Sequence, residues 1–288
     1  MTAPEGFAAL ILTHRRADRV FTYEALRECG YTGPIYLVVD TSDPEIDEYR
    51  ARYGDQVTVF DKADVAGTFD VGDNEPGMSG VVYARNACPG IAADLGLTHY
   101  LVLDDDYTYF AHRWADTRPD GSEWLAWAYT RELDHVISMF LEFLDTSGAA
   151  TVAFAQGGDY IGGVSGSTRR GHARKAMNSF FVRTDRPVGF LGRINEDTTT
   201  YVVRGGRGDL FFTLTAFSLH QTDTQTNPGG LTGMYLHSGT YVKSFYTVMM
   251  APSCTRVMAM GAHHRRMHHR VSWRHAVPQI IPARYRRD

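Results

Sequence analysis

The sequence predicts an α/β protein with a mainly parallel sheet in its N-terminal half and antiparallel additions in its second half. Up to residue 104, short apolar runs alternate with segments whose apolar residues recur at helical spacing. Beyond residue 150, the apolar runs are separated by Gly-rich loops without clear crossover helices. The first pattern is typical of parallel strands covered by helices, and the second of antiparallel strands. We expect one domain over residues 1–288, because the sequence has no repeat, low-complexity linker or obvious boundary.

The predicted elements follow in order from these patterns. The strands of the N-terminal half are predicted at residues 7–13, 34–40, 56–60 and 98–104. Its helices are predicted at 19–30, closed by Gly30, at 43–54, capped by Asp43, and at 80–96, interrupted near Pro89 and Gly90. The second half is predicted to contain a long helix at 124–144 and then strands at 150–155, 178–184, 201–206, 210–219 and 241–250.

Composition narrows the class of protein. The chain has 288 residues, is 43% hydrophobic and 22% charged, and has a formal net charge of −4. These values are ordinary for a soluble globular protein, and the excess of acids disfavours a general nucleic-acid coat. Residues 261–288 nevertheless carry seven arginines and five histidines against one acid, Asp288, which indicates an anionic partner near this end. We expect a cytoplasmic location for two reasons. The three cysteines are scattered, and the sequence has no apolar run of the roughly 20 residues that span a bilayer.

Three consecutive carboxylates, Asp104, Asp105 and Asp106, end the fourth predicted strand. Like charges crowded in this way cost free energy unless a cation offsets them. Hard oxygen ligands suit Mg²⁺ or Mn²⁺, which would in turn hold a diphosphate. The alternative is a cluster of turn-forming or N-capping aspartates.

A second acidic pair, Glu196 and Asp197, follows the apolar stretch at 190–194. A carboxylate that faces a cleft can act as the general base on an acceptor hydroxyl. The alternative is the N-cap of a helix that begins near Thr198.

Further polar residues lie near the predicted strand ends, where ligands gather in open parallel sheets. Guanidinium groups there pair well with phosphate oxygens. A histidine can complete a metal shell, although a lone histidine more often has no ligand role. The candidates for a phosphate-bearing ligand are Thr13, Arg15, Asp40, Arg85, Asn86 and Asp105, and those for the metal are His237 and His269.

A basic stretch at residues 166–181 contains no acid and carries Arg169, Arg170, Arg174 and Lys175. Cationic, Gly-containing loops of this kind follow a phosphodiester backbone readily, so these four are candidates for contact with a nucleic-acid backbone. A solvated surface loop is the alternative.

The order of these motifs resembles the GT-A fold of nucleotide-sugar glycosyltransferases. The Asp-any-Asp motif of that fold maps onto Asp104 and Asp106, and its acceptor-side Glu-Asp motif onto Glu196 and Asp197. The resemblance implies a nucleotide-sugar-binding half at 1–110 and an acceptor-binding half at 111–288. It implies that Asp104, Asp106 and either His237 or His269 hold Mn²⁺ or Mg²⁺, and that Asp197, or failing that Glu196, is the base. It also implies that Thr13, Arg15, Asp40, Arg85, Asn86 and Asp105 bind the nucleotide sugar.

The chain is also similar to the TET/JBP-associated glycosyltransferases, most of which are phage proteins. The similarity runs from the first strand to Pro282 and is clearest at 220–253 and 268–282. It implies transfer from a UDP-sugar, with UDP-glucose the expected donor, to 5-hydroxymethylcytosine in DNA, after a TET-like dioxygenase has made the hydroxymethyl group. A phage-encoded member would act in the host cytoplasm. The alternatives are a protein, lipid or polysaccharide acceptor, a nucleotidyltransferase, or a catalytically silent DNA-binding module.

Overall fold

The structure is a computed structural model that describes residues 2–165, 179–221, 242–260 and 266–276. Within these ranges the chain forms a nine-stranded sheet flanked by helices and a separate two-stranded hairpin, and no helix in them is long and apolar enough to cross a bilayer. The strands are β1 (Phe7–Leu12), β2 (Ile35–Asp40), β3 (Val57–Phe60), β4 (His99–Asp104), β5 (Tyr107–Thr117), β6 (Glu123–Tyr129), β7 (Thr151–Ala155), β8 (Phe180–Arg183), β9 (Phe211–Gln221), β10 (Thr255–Met260) and β11 (Arg266–Val271). The helices are α1 (Phe21–Glu28), α2 (Ile46–Tyr53), α3 (Lys62–Ala66), α4 (Val82–Asp94), α5 (Leu133–Ser147), α6 (Glu196–Gly206) and α7 (Val242–Met250).

The N-terminal strands form the parallel part of the sheet. β1 pairs in parallel with β2 and β4, and β2 pairs in parallel with β3. Every residue of β1 is buried, because α1 and α5 cover one face of the sheet and α4 covers the other. A strand covered on both faces is expected to be apolar throughout, as β1 is. The carboxyl ends of β1, β2 and β4 therefore meet at one end of the sheet.

The second half adds strands of both directions. β8 runs antiparallel to β4 and to β7, and β9 runs parallel to β7. β5 and then β6 continue the sheet in antiparallel fashion, giving the order β3-β2-β1-β4-β8-β7-β9-β5-β6. The predicted α/β architecture, a mainly parallel N-terminal sheet with antiparallel additions, is confirmed.

The prediction of a long helix at 124–144 is wrong for the first part of that segment. Residues Glu123–Tyr129 form β6, and the helix is Leu133–Ser147. β6 pairs with β5 so that Trp127 lies opposite Arg113, whose guanidinium carbon is 5.5 Å from the centre of the indole ring. Aromatic side chains fit a pleated, half-buried strand well, and this cross-strand packing outweighs the weak helical spacing of the segment.

Two segments predicted as strands are helical. Residues 201–206 belong to α6, and 241–250 overlaps α7. Their β-branched and aromatic residues are typical of a strand, but Ser244 and Thr247, buried in α7, recur at helical spacing.

The interruption predicted in α4 near Pro89 is also absent, because buried side chains on both sides of the proline hold α4 against the sheet.

Candidate active site

A cavity of about 710 Å³ lies where the ends of β1, β2 and β4 face the start of α6. Residues 78–81, just before α4, and residues of β11 also line it. The lining includes ten residues that the sequence predicted for the site: Thr13, Arg15, Asp40, Arg85, Asp104, Asp105, Asp106, Glu196, Asp197 and His269. The fold thus brings the acidic motifs of both halves of the chain to one space.

Asp104, the last residue of β4, and Asp106, just before β5, line this cavity. Asp104 Oδ1 accepts a hydrogen bond from Arg85 Nη2 at 3.3 Å. Asp106 Oδ2 accepts one from Gln221 Nε2 at 3.0 Å. Burial and, next, the carboxylate of Asp104 raise the pKa of Asp106 to about 6. The two carboxylates therefore repel each other, as the sequence led us to expect.

Asp105, between them, is engaged on both oxygens. Its buried carboxylate accepts hydrogen bonds from Thr13 Oγ1 at 2.8 Å and from Arg16 Nη1 at 2.7 Å. Thr13 Oγ1 also lies 2.8 Å from the hydroxyl of Tyr49. Asp105 therefore ties the end of β4 to the end of β1.

Asp40 ends β2 and is an ionised acceptor in the cavity wall. Its Oδ1 accepts hydrogen bonds from the backbone N–H and the hydroxyl of Ser42 at 2.8 and 2.5 Å. Its Oδ2 accepts one from Lys62 Nζ at 2.7 Å and lies 3.2 Å from His14 Nδ1. Burial alone would raise the pKa of Asp40, but the bonds from Lys62 and Ser42 outweigh it and hold the pKa below its usual value.

Arg85 lines the cavity and pairs with two carboxylates, and its role in holding a phosphate stays a prediction. Its buried guanidinium donates from Nη1 to Glu196 Oε1 and from Nη2 to Asp104 Oδ1. The group also lies 5.0 Å from the ring centre of Phe180 and 5.6 Å from that of Phe190. Burial raises the pKa of Glu196, because it favours the neutral acid, and this outweighs the opposite effect of Arg85. Burial alone would lower the pKa of Arg85, but the carboxylates of Glu196 and Asp104 hold that pKa above its usual value. Arg85 thereby links the two acidic motifs.

The second acidic motif opens α6. Glu196 and Asp197 are the first two residues of the helix, both are buried, and both line the cavity. Asp197 Oδ1 accepts a hydrogen bond from the backbone N–H of Thr198 at 2.6 Å. The alternative of an N-cap for a helix that begins near Thr198 is wrong, because the helix begins at Glu196 and its N-cap residue is Asn195.

Two non-glycine residues of the described chain have a left-handed backbone, and both line the cavity. Arg15 and Asn195 each have a φ of 55°. The N–H of Arg15 donates to Asp43 Oδ2 at 2.7 Å, and the side-chain amide of Asn195 donates to the carbonyl of Lys243 at 2.6 Å. This amide also lies 3.3 Å from His269 Nδ1. Strained residues fixed by tertiary contacts are concentrated at functional sites.

Asn86 is not among the residues that line the cavity, and its assignment to the donor site stays a prediction. Its side-chain amide donates to the carbonyl of Phe190 at 3.0 Å and accepts from the N–H of Phe190 at 2.8 Å. Asn86 is thereby committed to holding the chain ahead of α6. The remaining predicted residues fall outside the described ranges. They are His237, predicted for the metal, and Arg169, Arg170, Arg174 and Lys175, predicted for DNA.

A family described as TET-Associated Glycosyltransferase matches residues 7–230 of this sequence, well over half of the chain. The chain belongs to this family. It is a glycosyltransferase, as the sequence predicted.

Solved glycosyltransferases resemble this TET-associated glycosyltransferase only distantly. Glucosyl-3-phosphoglycerate synthase from Mycobacterium tuberculosis, in complex with Mn²⁺, UDP and phosphoglyceric acid, has 9% sequence identity and a TM-score of 0.47, over 92% of this chain and 86% of that one. A mannosyltransferase from Pyrobaculum calidifontis, in complex with GDP-Man and Mn²⁺, has 11% identity and a TM-score of 0.49, over 87% and 66% of the two chains. No curated protein matches the sequence significantly.

The TET-associated glycosyltransferase also lines its cavity with five basic residues outside the predicted set of site residues. These are His14, Arg16, Lys62, Lys243 and His268. His14 lies one residue, and Lys62 two residues, beyond the predicted end of a strand. Ligands gather at the carboxyl ends of parallel strands, and this principle, which predicted Asp40, could have predicted both residues. Arg16 and His268 adjoin the predicted Arg15 and His269, so the same motifs indicate them. Lys243 has no comparable signal, because only the packing of α7 brings it to the cavity.

Proposed function

We propose that this glycosyltransferase moves a sugar from a UDP-sugar to the hydroxymethyl oxygen of 5-hydroxymethylcytosine in DNA, with Mn²⁺ or Mg²⁺ and with inversion. The observation that supports it is the shared cavity, in which Asp104 and Asp106 suit a metal-diphosphate site and Asp197 suits an acceptor base. The DNA acceptor is supported by the family to which the chain belongs. A TET-like dioxygenase would supply the hydroxymethyl group.

The residues present fit a divalent cation. Asp104 and Asp106 offer hard oxygen ligands. Burial and, next, the carboxylate of Asp104 raise the pKa of Asp106, and a cation would offset the charge of the two carboxylates. Within the described ranges, no three histidine, cysteine or acidic side chains are grouped to hold an ion by themselves. Mg²⁺ commonly takes only one or two protein carboxylates and completes its shell with substrate phosphates, so the pair is sufficient. His269, in the same cavity, is the described candidate for a further ligand. A cation bound there supplies positive charge to the diphosphate as it leaves.

The ends of β1 and β2 suit the nucleoside. Asp40 is held ionised by Lys62 and Ser42 and can accept a hydrogen bond from the uracil or the ribose. Thr13 and Arg15 lie at the end of the adjacent strand and line the same space. Arg15 is exposed, so its guanidinium is available to the phosphates.

Asp197 is the proposed base. It takes the proton of the acceptor hydroxyl as that oxygen attacks the anomeric carbon, and the bond from this carbon to the diphosphate breaks with its electrons passing to UDP. Attack from the side opposite the leaving group inverts the anomeric centre. Glu196 is the fallback base, because its carboxylate is already paired with Arg85.

The acceptor base must leave the DNA stack to reach this cavity, because the hydroxymethyl oxygen of a base inside a duplex cannot reach a buried carboxylate. We propose that Arg169, Arg170, Arg174 and Lys175 hold the flanking phosphates, on the basis of their charge in the sequence.

The test is to incubate the protein with DNA that contains 5-hydroxymethylcytosine, Mn²⁺ and a panel of UDP-sugars, and to analyse the nucleosides by mass spectrometry. We expect one added sugar on 5-hydroxymethyl-2′-deoxycytidine and none on the nucleosides of matched DNA that contains cytosine. Consumption of a UDP-sugar without a modified nucleoside would move the acceptor to a protein or another molecule. Absence of any donor turnover and of any UDP binding would leave only a silent DNA-binding module and overturn the proposal.

A further inference from the structure

The loop of residues 70–81, between α3 and α4, forms one wall of the cavity. Met78, Ser79 and Gly80 of this loop line the space directly. Residues 74–79 are exposed, and Met78 has 43% of its surface open to solvent. Apolar burial therefore contributes little to the order of this wall, and the loop needs another source of order.

Arg193 supplies that source. The residue is only 2% exposed, and its guanidinium donates from Nε to Asp73 Oδ2 at 3.0 Å. Nη1 donates to the carbonyl of Gly77 at 2.7 Å, and Nη2 donates to the carbonyl of Glu75 at 3.2 Å. Nη1 also lies 3.4 Å from the hydroxyl of Ser79. One planar group thus contacts four residues of the loop, a geometry that the fork of an arginine provides and a lysine does not.

Backbone contacts join the same two segments. The N–H of Gly192 donates to the carbonyl of Asp70 at 2.8 Å, and that of Arg193 donates to the carbonyl of Val71 at 2.9 Å. Asp73 also accepts a hydrogen bond from the hydroxyl of Tyr246 in α7. The segment that delivers Glu196 and Asp197 to the cavity therefore also holds the opposite loop.

We propose that Arg193 is a positioning residue for donor binding, which holds the loop of residues 70–81 in place so that Met78, Ser79 and Gly80 form a fixed wall against the nucleotide sugar. This inference rests on the proposed function, because the nucleotide sugar is the occupant of the cavity. Arg193 does not line the cavity itself and acts through the loop.

The test compares Arg193→Lys with wild type in two measurements. The first is the Kd for UDP in the presence of Mn²⁺, and the second is amide hydrogen exchange of residues 72–81. We expect the Kd to weaken by about tenfold and exchange in the loop to accelerate, while exchange in β1 to β4 stays as in wild type, because a lysine keeps one ion pair and loses the fork. The matched control is Arg204→Lys, since Arg204 also pairs with one aspartate, at 2.7 Å, but lies outside the cavity.

Asp73→Asn tests the same contact from the loop side and keeps the proposal testable if Arg193→Lys does not fold. Wild-type UDP affinity and wild-type exchange at 72–81 in the folded variants would overturn the proposal. So would faster exchange throughout β1 to β4, which would show a general structural role. Failure of the wild-type protein to bind UDP would count against the proposed function instead, and the exchange measurement would still decide whether Arg193 orders the loop.

Discussion

The two walls of the cavity, for which we propose a donor side and an acceptor side, are built by different means. On the donor side, Thr13, Asp40 and Asp104 lie at the ends of parallel strands, so the hydrogen bonds of one sheet fix their spacing. On the acceptor side, Asp197 is the second residue of α6, which follows Asn195. The side-chain amide of Asn195 is held by a backbone carbonyl of α7, 48 residues away in sequence. The donor wall depends on the sheet, and the acceptor wall depends on packing between distant segments.

This difference indicates how the two walls respond to change. A substitution at the donor wall should reduce turnover of every acceptor, because it affects the leaving group that all acceptors share. A substitution at the acceptor wall should leave UDP binding intact. The predictions below test this separation, from the largest expected effect to the smallest.

Asp106→Asn should have the largest effect. We expect the rate of sugar transfer to fall by about 10³-fold or more, since stabilising the charge of the leaving group contributes several kcal/mol to catalysis. The rate is measured with saturating UDP-sugar and Mn²⁺, and Asp116→Asn, an exposed aspartate on β5, is the matched control. Full activity in Asp106→Asn, or in wild type with EDTA, would contradict a metal role for the donor wall.

Asp197→Asn should separate the two walls. We expect turnover to fall by about 10²- to 10⁴-fold, the usual contribution of a general base, with UDP affinity unchanged. Calorimetry with UDP and single-turnover rates measure the two quantities. Glu196→Gln is the comparison variant. If it loses turnover while Asp197→Asn retains it, the base is Glu196.

Arg85→Met tests the link between the walls. Removing the guanidinium leaves Glu196 buried without its partner, so we expect the free energy of unfolding to fall by about 3–5 kcal/mol. The double variant Arg85→Met with Glu196→Gln should recover part of this loss, because it removes both charges. Urea unfolding of the two single variants and the double variant measures the coupling. Strictly additive losses would mean that the Arg85–Glu196 pair contributes nothing as a pair.

The same difference between the walls explains how far the sequence could predict the structure. Asp40 and Asp104 could be placed because strand ends are readable from apolar runs, and parallel strands bring their ends together. The entry to α6 could not be read, since the left-handed Asn195 is stabilised by contacts with residues far along the chain. Arg193 was missed for the same reason, because its partners in the loop of residues 70–81 lie more than 100 residues away in sequence.

Replacing Arg169, Arg170 and Lys175 with alanine should weaken DNA binding and leave UDP binding unchanged. If each contacts a phosphate, the slope of log affinity against log salt should become shallower by roughly 3 units. Binding of an oligonucleotide at several salt concentrations measures the slope, and alanines at Arg50 and Arg52, exposed on α2, provide the control. An unchanged slope would remove this stretch from the DNA contact.

The smallest expected effect is a dependence of Mn²⁺ binding on pH. Burial and Asp104 raise the pKa of Asp106 to about 6, so this carboxyl takes up a proton and loses its value as a ligand below that pH. We expect the apparent Mn²⁺ affinity to be constant above pH 7 and to fall by up to about tenfold per pH unit below 6, since one proton competes with the ion. Gln221→Ala should move this transition to higher pH, because the amide of Gln221 donates to Asp106 Oδ2 and favours the ionised form. An affinity that stays constant from pH 7 to pH 5 would show that Asp106 is not a ligand, and the metal of the donor wall would then depend on Asp104.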